Sequence, residues 1–215
     1  DTRRFESKVP KLAWHGRLTD KVTVEKQWRP VNEPVEAFLR GDWHEEHALL
    51  NTLRKSPRFR LLENFFADAL CHLRPERYGV EALTRYAPTE AWFHDHPGPE
   101  AIFRFRYIVA IDGPEMPNPL YRYLASNSLV LKVETGWSAF LDGNLKPFEH
   151  YVPVKKDLSD LIDQYNWCEA NPRACADIIK NAHQIIAFAQ VGWMRRRVER
   201  QIVRKYERRF REFYF

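Results

Sequence analysis

The sequence predicts an α/β fold, a parallel sheet with helices on its faces, from three observations. Tyr107, Ile108, Val109, Ala110 and Ile111 form one continuous apolar run, and Ser128 to Val133 form a second with only Lys132 interrupting it. Runs of this length without polar alternation mark strands buried on both faces of a parallel sheet. The stretch between them holds one short helical segment, so the unit is strand, helix, strand, and the segments after it continue to alternate. Composition agrees: 215 residues with 44% hydrophobic and 14% aromatic side chains fill one packed core and exclude a disordered or collagen-like chain. There is no run of 18 apolar residues, and no apolar segment follows Asp1, Thr2, Arg3 and Arg4, so neither a membrane span nor a secretory signal is expected.

In chain order, residues 1–10 read as a lead-in and 11–15 as a short apolar strand that Gly16 ends. A polar connection with Pro30 and Pro34 follows. Residues 43–55 read as a helix with Ala48, Leu49, Thr52 and Leu53 inward, stopped by Pro57. The run 61–73 fits helix or strand. Residues 74–100 hold four prolines and no periodicity, which predicts a loop region with one helical turn near 80–85. Asp112-Gly113 ends the strand at 107–111, Asn118-Pro119 starts a short helix through Ser126, and a third strand falls near 150–154. A helix over 158–169, capped by Asp157 with Asp160 three residues on, and another over 172–190 complete the domain at 11–190.

The net charge of +5 is concentrated at one end, because residues 195–212 hold nine Lys/Arg against three Glu. Val191, Met194, Val198, Ile202, Tyr206, Phe210 and Phe213 recur there at spacings of three and four, so 191–215 is a basic amphipathic helix. A pI of 9.1 would ordinarily suggest nucleic acid. Here it comes from this one helix, and the expectation is an apolar stripe of Met194, Val198, Ile202, Tyr206 and Phe210 docked on the α/β domain or on a partner domain, with a solvated basic face and no nucleic acid.

Three cysteines make no disulfide framework. Cys168 and Cys175 can pair only if Asn171-Pro172 breaks the helix between them. His94, Asp95 and His96 offer too few ligands for a metal site, and His44 and His47 are three apart where a helical zinc box needs four. No GxGxxG, Walker or G-x-S-x-G motif occurs, which removes the usual support for dinucleotide oxidoreductases, P-loop NTPases and serine hydrolases. In a parallel sheet the ligand crevice opens beyond the carboxyl ends of the strands, where Asp112, Gly113 and the helix start at Asn118 would lie. Gly113 lets the backbone approach a ligand, and Arg122 supplies a bidentate fork, which together suit a diphosphate. An ordinary turn whose Arg122 pairs with a surface carboxylate explains the same spacing.

Beyond Arg122 the residues resemble a known family. Ile-Asp-Gly (111–113), Leu-Tyr-Arg-Tyr-Leu-Ala-Ser (120–126), Ser-Leu-Val-Leu-Lys (128–132), Leu-Lys-Pro-Phe (145–148) and above all His-Tyr-Val-Pro-Val-Lys-Lys-Asp-Leu-Ser-Asp-Leu (150–161) resemble the Rumi and capsule-associated glycosyltransferases, family 90. Lys-Leu-Ala-Trp-His-Gly (11–16), Leu-Arg-Lys-Ser-Pro (53–57) and Trp-Cys-Glu-Ala-Asn-Pro (167–172) extend the resemblance over most of 11–190.

The resemblance implies a GT-B architecture of two Rossmann-like domains. The C-terminal domain, which this chain resembles, binds a UDP-sugar, and an N-terminal one supplies acceptor contacts and the base. It implies metal-independent, inverting transfer of glucose or xylose, with xylose slightly preferred, to a protein or glycan hydroxyl. The compartment would be the ER or Golgi lumen for a eukaryotic secretory protein and the cytoplasm for a viral or bacterial one.

Arg122 takes the place of the family's diphosphate-binding Arg, and Gly16 with Arg17 that of the glycine and small polar residue beside the phosphates. Asp112, Gly113, Ser126, Ser128, Lys132 and Glu134 complete the predicted donor set. Three departures stand out. His15 replaces an Arg, the 112–122 loop carries Pro114, Pro117 and Pro119, and a second family Arg falls either at Glu46 or, in another alignment, at Arg58 or Arg60. No good base is evident, with Asp95, Asp112 and Glu134 the only candidates. The rival reading is a non-catalytic binding module that holds an anionic or protein partner through its basic C-terminal helix.

Overall fold

In the computed structural model, which describes residues 1–93, 98–113, 119–136, 142–190 and 192–214, the elements follow in this order. The first half runs β1 (Val9–Arg17), β2 (Lys21–Val24), β3 (Gln27–Pro30), α1 (Asn32–Leu39), α2 (Glu46–Leu53), α3 (Pro57–Phe65), β4 (Cys71–Glu76) and α4 (Ala87–Glu90). The second runs β5 (Phe105–Ile111), α5 (Leu120–Leu124), β6 (Leu129–Val133), β7 (Val152–Val154), α6 (Leu161–Ala170), α7 (Pro172–Gln190) and α8 (Gly192–Tyr214). Five strands make one sheet of order β4-β1-β5-β6-β7, and every pairing within it is parallel.

Alternation along β5 explains why the sheet needs cover on both sides. Tyr107, Val109 and Ile111 pack on one face with Leu129, Leu131 and Val133, where α2, α3 and α6 supply Leu49, Leu53, Phe59, Leu62, Leu161 and Tyr165. Ile108, Ala110 and Val130 pack on the other, beneath Leu120 and Leu124 of α5 and Ala182 and Ile186 of α7.

Several elements differ from the sequence expectation. Residues 1–8 are part of the fold: Phe5 is buried edge-on against Tyr107 at 5.8 Å, and Lys8 pairs with Asp1 and donates to Ser128 Oγ at 2.7 Å. Gly16 does not end β1, which continues through Arg17. The polar connection is a hairpin, β2 with β3, turned by Glu25 and Lys26 at φ 48° and 65°. That turn lacks the Asn-Gly or Asp-Gly pair that marks hairpins in a sequence. Pro57 does not simply stop α2; it opens α3, where Ser56 Oγ accepts the Phe59 N–H at 3.0 Å. The ambiguous run divides between α3 and β4. Helix α6 begins only at Leu161, because Leu158 sits at φ 63° and Asp157 Oδ1 accepts from Ser159 instead of capping the helix. Cys168 and Cys175 are brought together by the Asn171 break but are free thiols, Cys175 Sγ donating to the Cys168 carbonyl at 3.4 Å.

Helix α8 forms as expected, but its described side chains do not dock. Residues 199–211 are exposed throughout, with Ile202 56%, Tyr206 72% and Phe210 48% open to solvent. The side chains of Met194 and Val198 lie outside the described residues. Periodicity locates an apolar stripe without saying what covers it, and both faces of the sheet are already occupied by other helices. Among the described residues, no helix is long and apolar enough to cross a membrane.

Candidate functional site

Because all five strands run the same way, their carboxyl ends gather on one edge. Gly16 and Arg17 end β1, and Asp112 and Gly113 follow β5. A cavity of ≈ 360 Å³ opens there, lined among others by His15, Gly16, Arg17, Arg58, Gly113, Pro119, Arg122 and Tyr123. The two glycines shape it. A Cβ at Gly16 would stand 3.0 Å from the Trp14 ring, and one at Gly113 only 2.6 Å from Arg58 Nη2.

Three guanidinium groups give the crevice its character. Arg17 pairs with Glu76 at 2.8 Å and lies 4.7 Å over the Tyr78 ring. Arg122 pairs with Glu100 and lies 5.2 Å over Phe103. Arg58, at the N-terminus of α3, reaches across to the ends of β1 and β5, donating to the carbonyls of Arg17 at 3.1 Å and Ile111 at 3.4 Å. Burial pushes the Tyr123 phenol beside them up to about 12, so it remains a neutral hydroxyl. On the neighbouring strand the His72 ring stacks on Phe105 at 4.4 Å, and burial with nearby Arg74, Lys11 and Arg104 pulls its pKa down to about 4.

The structure gathers Gly16, Arg17, Arg58, Gly113 and Arg122 at this one place. Arg122 also makes the carboxylate pair that an ordinary turn would make, and α5 has only five residues. Asp112 lies at the edge but is buried against Lys132 Nζ at 2.6 Å, so both are committed to an ion pair. Glu134 is exposed just past β6.

Other predicted residues lie elsewhere. Arg60 points away, donating to the Arg54 carbonyl and standing near Lys155, Lys156 and Asp157. Ser126 and Ser128 precede β6 and therefore sit at the opposite edge of the sheet, where Ser126 Oγ bonds Tyr123 O at 2.7 Å and Ser128 Oγ bonds Phe105 O at 2.8 Å. Glu46 accepts from the Tyr86 hydroxyl at 2.7 Å. Asp95 and Asn118 lie outside the described residues. Among the described residues, no group of three or more His, Cys, Asp or Glu could hold a metal ion. Sequence reasoning missed Thr19, Asp20, Glu76 and Tyr123. Only the Ser56-Pro57 helix start, which fixes where Arg58 points, left a readable signal.

Fold and site together define a parallel α/β domain with an arginine-lined crevice at the carboxyl edge of its sheet. Residues 92–196 match the model of Glycosyl transferase family 90. The chain is 36% identical over 174 residues to protein O-glucosyltransferase 3 of Rattus norvegicus, covering 78% of this chain and 31% of that protein. It is also 37% identical over 92 residues to an uncharacterized protein of Invertebrate iridescent virus 3, covering 42% of this chain and 8% of that one. The chain thus spans less than a third of either relative. Among solved structures, the C-terminal domain of a glycosyl transferase group 1 family protein from Francisella tularensis aligns with TM-score 0.43 at 10% identity, covering 87% of this chain and 93% of that one.

Proposed function

We propose that the crevice binds the diphosphate of a UDP-sugar and that the chain is the donor-binding part of an inverting glycosyltransferase acting on a protein or glycan hydroxyl. The observation that carries this is the convergence of Arg17, Arg58 and Arg122 on one cavity at the strand ends of a chain that matches the family 90 model. As the bond to the sugar breaks, negative charge grows on the departing UDP, and prepositioned guanidinium groups stabilise it without reorganising. Arg122 is the group most easily recruited. Its pair with Glu100 is about half exposed, and such pairs are worth about 0–1 kcal/mol, so a diphosphate oxygen replaces Glu100 at little cost.

The similarity to rat protein O-glucosyltransferase 3 favours glucose over xylose as the sugar. The acceptor's proton needs a carboxylate. Asp112 is ill placed for that role, being buried against Lys132, and the base is assigned to an acceptor-binding domain beyond this chain. No metal is invoked.

Isothermal titration with UDP tests the reading. Arg122→Ala is expected to weaken UDP binding by about 1.5–3 kcal/mol, the range for charge-assisted hydrogen bonds, while the melting temperature holds. Unchanged affinity would sink the assignment of Arg122, and tighter binding of a GDP-sugar would sink the choice of nucleotide.

The exposed basic helix α8 favours a second reading, a binding module for an anionic or protein partner. A chain that binds no UDP yet loses a partner when α8 is removed would support it.

A further inference from the structure

The three arginines of the crevice are held in different ways. The side chains of Arg17 and Arg122 are about half exposed, and their carboxylate partners reach solvent too, so either guanidinium can swing away. Arg58 is only 13% exposed and is fixed from several sides. Its Nε lies 3.3 Å from Asp20 Oδ1, and Nη1 donates to Arg17 O at 3.1 Å and Thr19 Oγ1 at 3.0 Å. Nη2 makes the longest of these contacts, 3.4 Å to Ile111 O, and stands beside Gly113, 2.6 Å from where a Cβ of that residue would be.

Asp20 is the other half of this arrangement. Its side chain is buried, its Oδ2 accepts the Ser56 hydroxyl and the Arg58 backbone N–H, the latter at 3.3 Å, and its Oδ1 faces Arg58 Nε. One carboxylate therefore fixes both the start of α3 and the direction of the side chain that leaves it.

We propose that Arg58 is the crevice's fixed phosphate contact and that Asp20 is the residue that positions it. This deepens, and rests on, the UDP-sugar reading above. A guanidinium whose rotamer is already frozen loses little conformational freedom on binding. Asp20 holds Nε, the β1 end occupies Nη1, and the Nη2 end beside Gly113 is left to meet a phosphate oxygen. Gly113 is then required for Arg58 as well as for the ligand.

Isothermal titration of the whole chain with UDP and with inorganic pyrophosphate decides it, alongside thermal melts. Arg58→Gln is expected to weaken both ligands at least tenfold. Arg58→Lys should recover little, because an ammonium cannot stay on Asp20 and reach the diphosphate at once. Asp20→Asn is expected to weaken both ligands several-fold. Val35→Ala opens space in the core under α1, away from the crevice; it should lower the melting temperature and leave both affinities unchanged, which separates positioning from bare stability. If Asp20→Asn does not fold, the two Arg58 variants read against Val35→Ala decide the matter. Wild-type UDP affinity in Arg58→Gln, with Arg122→Ala weakened, overturns this proposal and leaves the UDP-sugar reading standing. Full affinity in folded Asp20→Asn overturns the positioning role. Absence of UDP binding by the unaltered chain overturns both readings.

Discussion

A methyl group at residue 113 would stand 2.6 Å from Arg58 Nη2, well inside contact distance, and Arg58 is held too firmly to step aside freely. Gly113→Ala is therefore expected to weaken UDP binding about tenfold, or ~1.4 kcal/mol, by displacing an arginine; titration calorimetry checks it. His72 gives the chain a pH dependence. Its folded pKa, about 4, lies below the 6.5 of the free side chain, so the folded state takes up its proton less readily than the unfolded one. The stability tied to His72 is fully present above pH 6.5 and is lost as pH falls through 6.5 toward 4. Melts from pH 7.5 to 4.5 should show a fall that His72→Phe makes shallower.

At this scale the sequence was readable where a residue's type limits its use. Gly113 and Arg122 could be named for the crevice because glycine marks close approach and arginine marks anions, whereas Gly16 and Arg17 were named only through the family resemblance. Ser126 and Ser128 were misplaced because strand polarity, on which the edge depends, had not been applied to them. Asp20 left no trace, since its role needs Ser56 and Arg58, more than 30 residues away in sequence, to be brought beside it.

Among the elements, α8 carries the clearest test. Its described side chains bury nothing, so deleting residues 199–214 should change the melting temperature by less than about 2 °C, as exposed segments generally do. A large fall would mean that its stripe docks after all. The buried strands β5 and β6 were legible because an unbroken apolar run has few other uses. β4 was not, because Pro75 interrupts its pattern. The sheet order supplies the reason such a strand is tolerated: β4 and β7 are the two edges, and each carries a proline, Pro75 and Pro153, where a missing N–H discourages further pairing. The β2–β3 hairpin escaped because its turn uses Glu25 and Lys26.

For the whole molecule, holding a donor and transferring its sugar are separable. Transfer needs an acceptor hydroxyl positioned and deprotonated, and among the described residues at this crevice the carboxylate of Glu76 is paired with Arg17 and that of Asp112 with Lys132. The chain alone is expected to bind UDP and to release it from UDP-glucose negligibly in a coupled assay, with turnover appearing when an acceptor-binding domain is joined to it. Fast turnover by these 215 residues alone would place the base within them.

The position of β1 in the sheet bears on how the chain comes to be folded at all. Of the strands in this sheet, the one earliest in sequence is an inner one, and its neighbours are β4 and β5, which begin more than 60 and about 95 residues after it starts. A ribosome building the chain leaves Leu12, Ala13 and Trp14 without the second of their two sheet neighbours until residue 111 has emerged. Pairings so distant in sequence close slowly, and an apolar strand waiting for them is exposed to aggregation. Any piece that stops before β5 lacks the centre of its own sheet, so nascent chains halted near residue 104 should be captured by holdase chaperones, and those carried past residue 133, where β6 is complete, should be released.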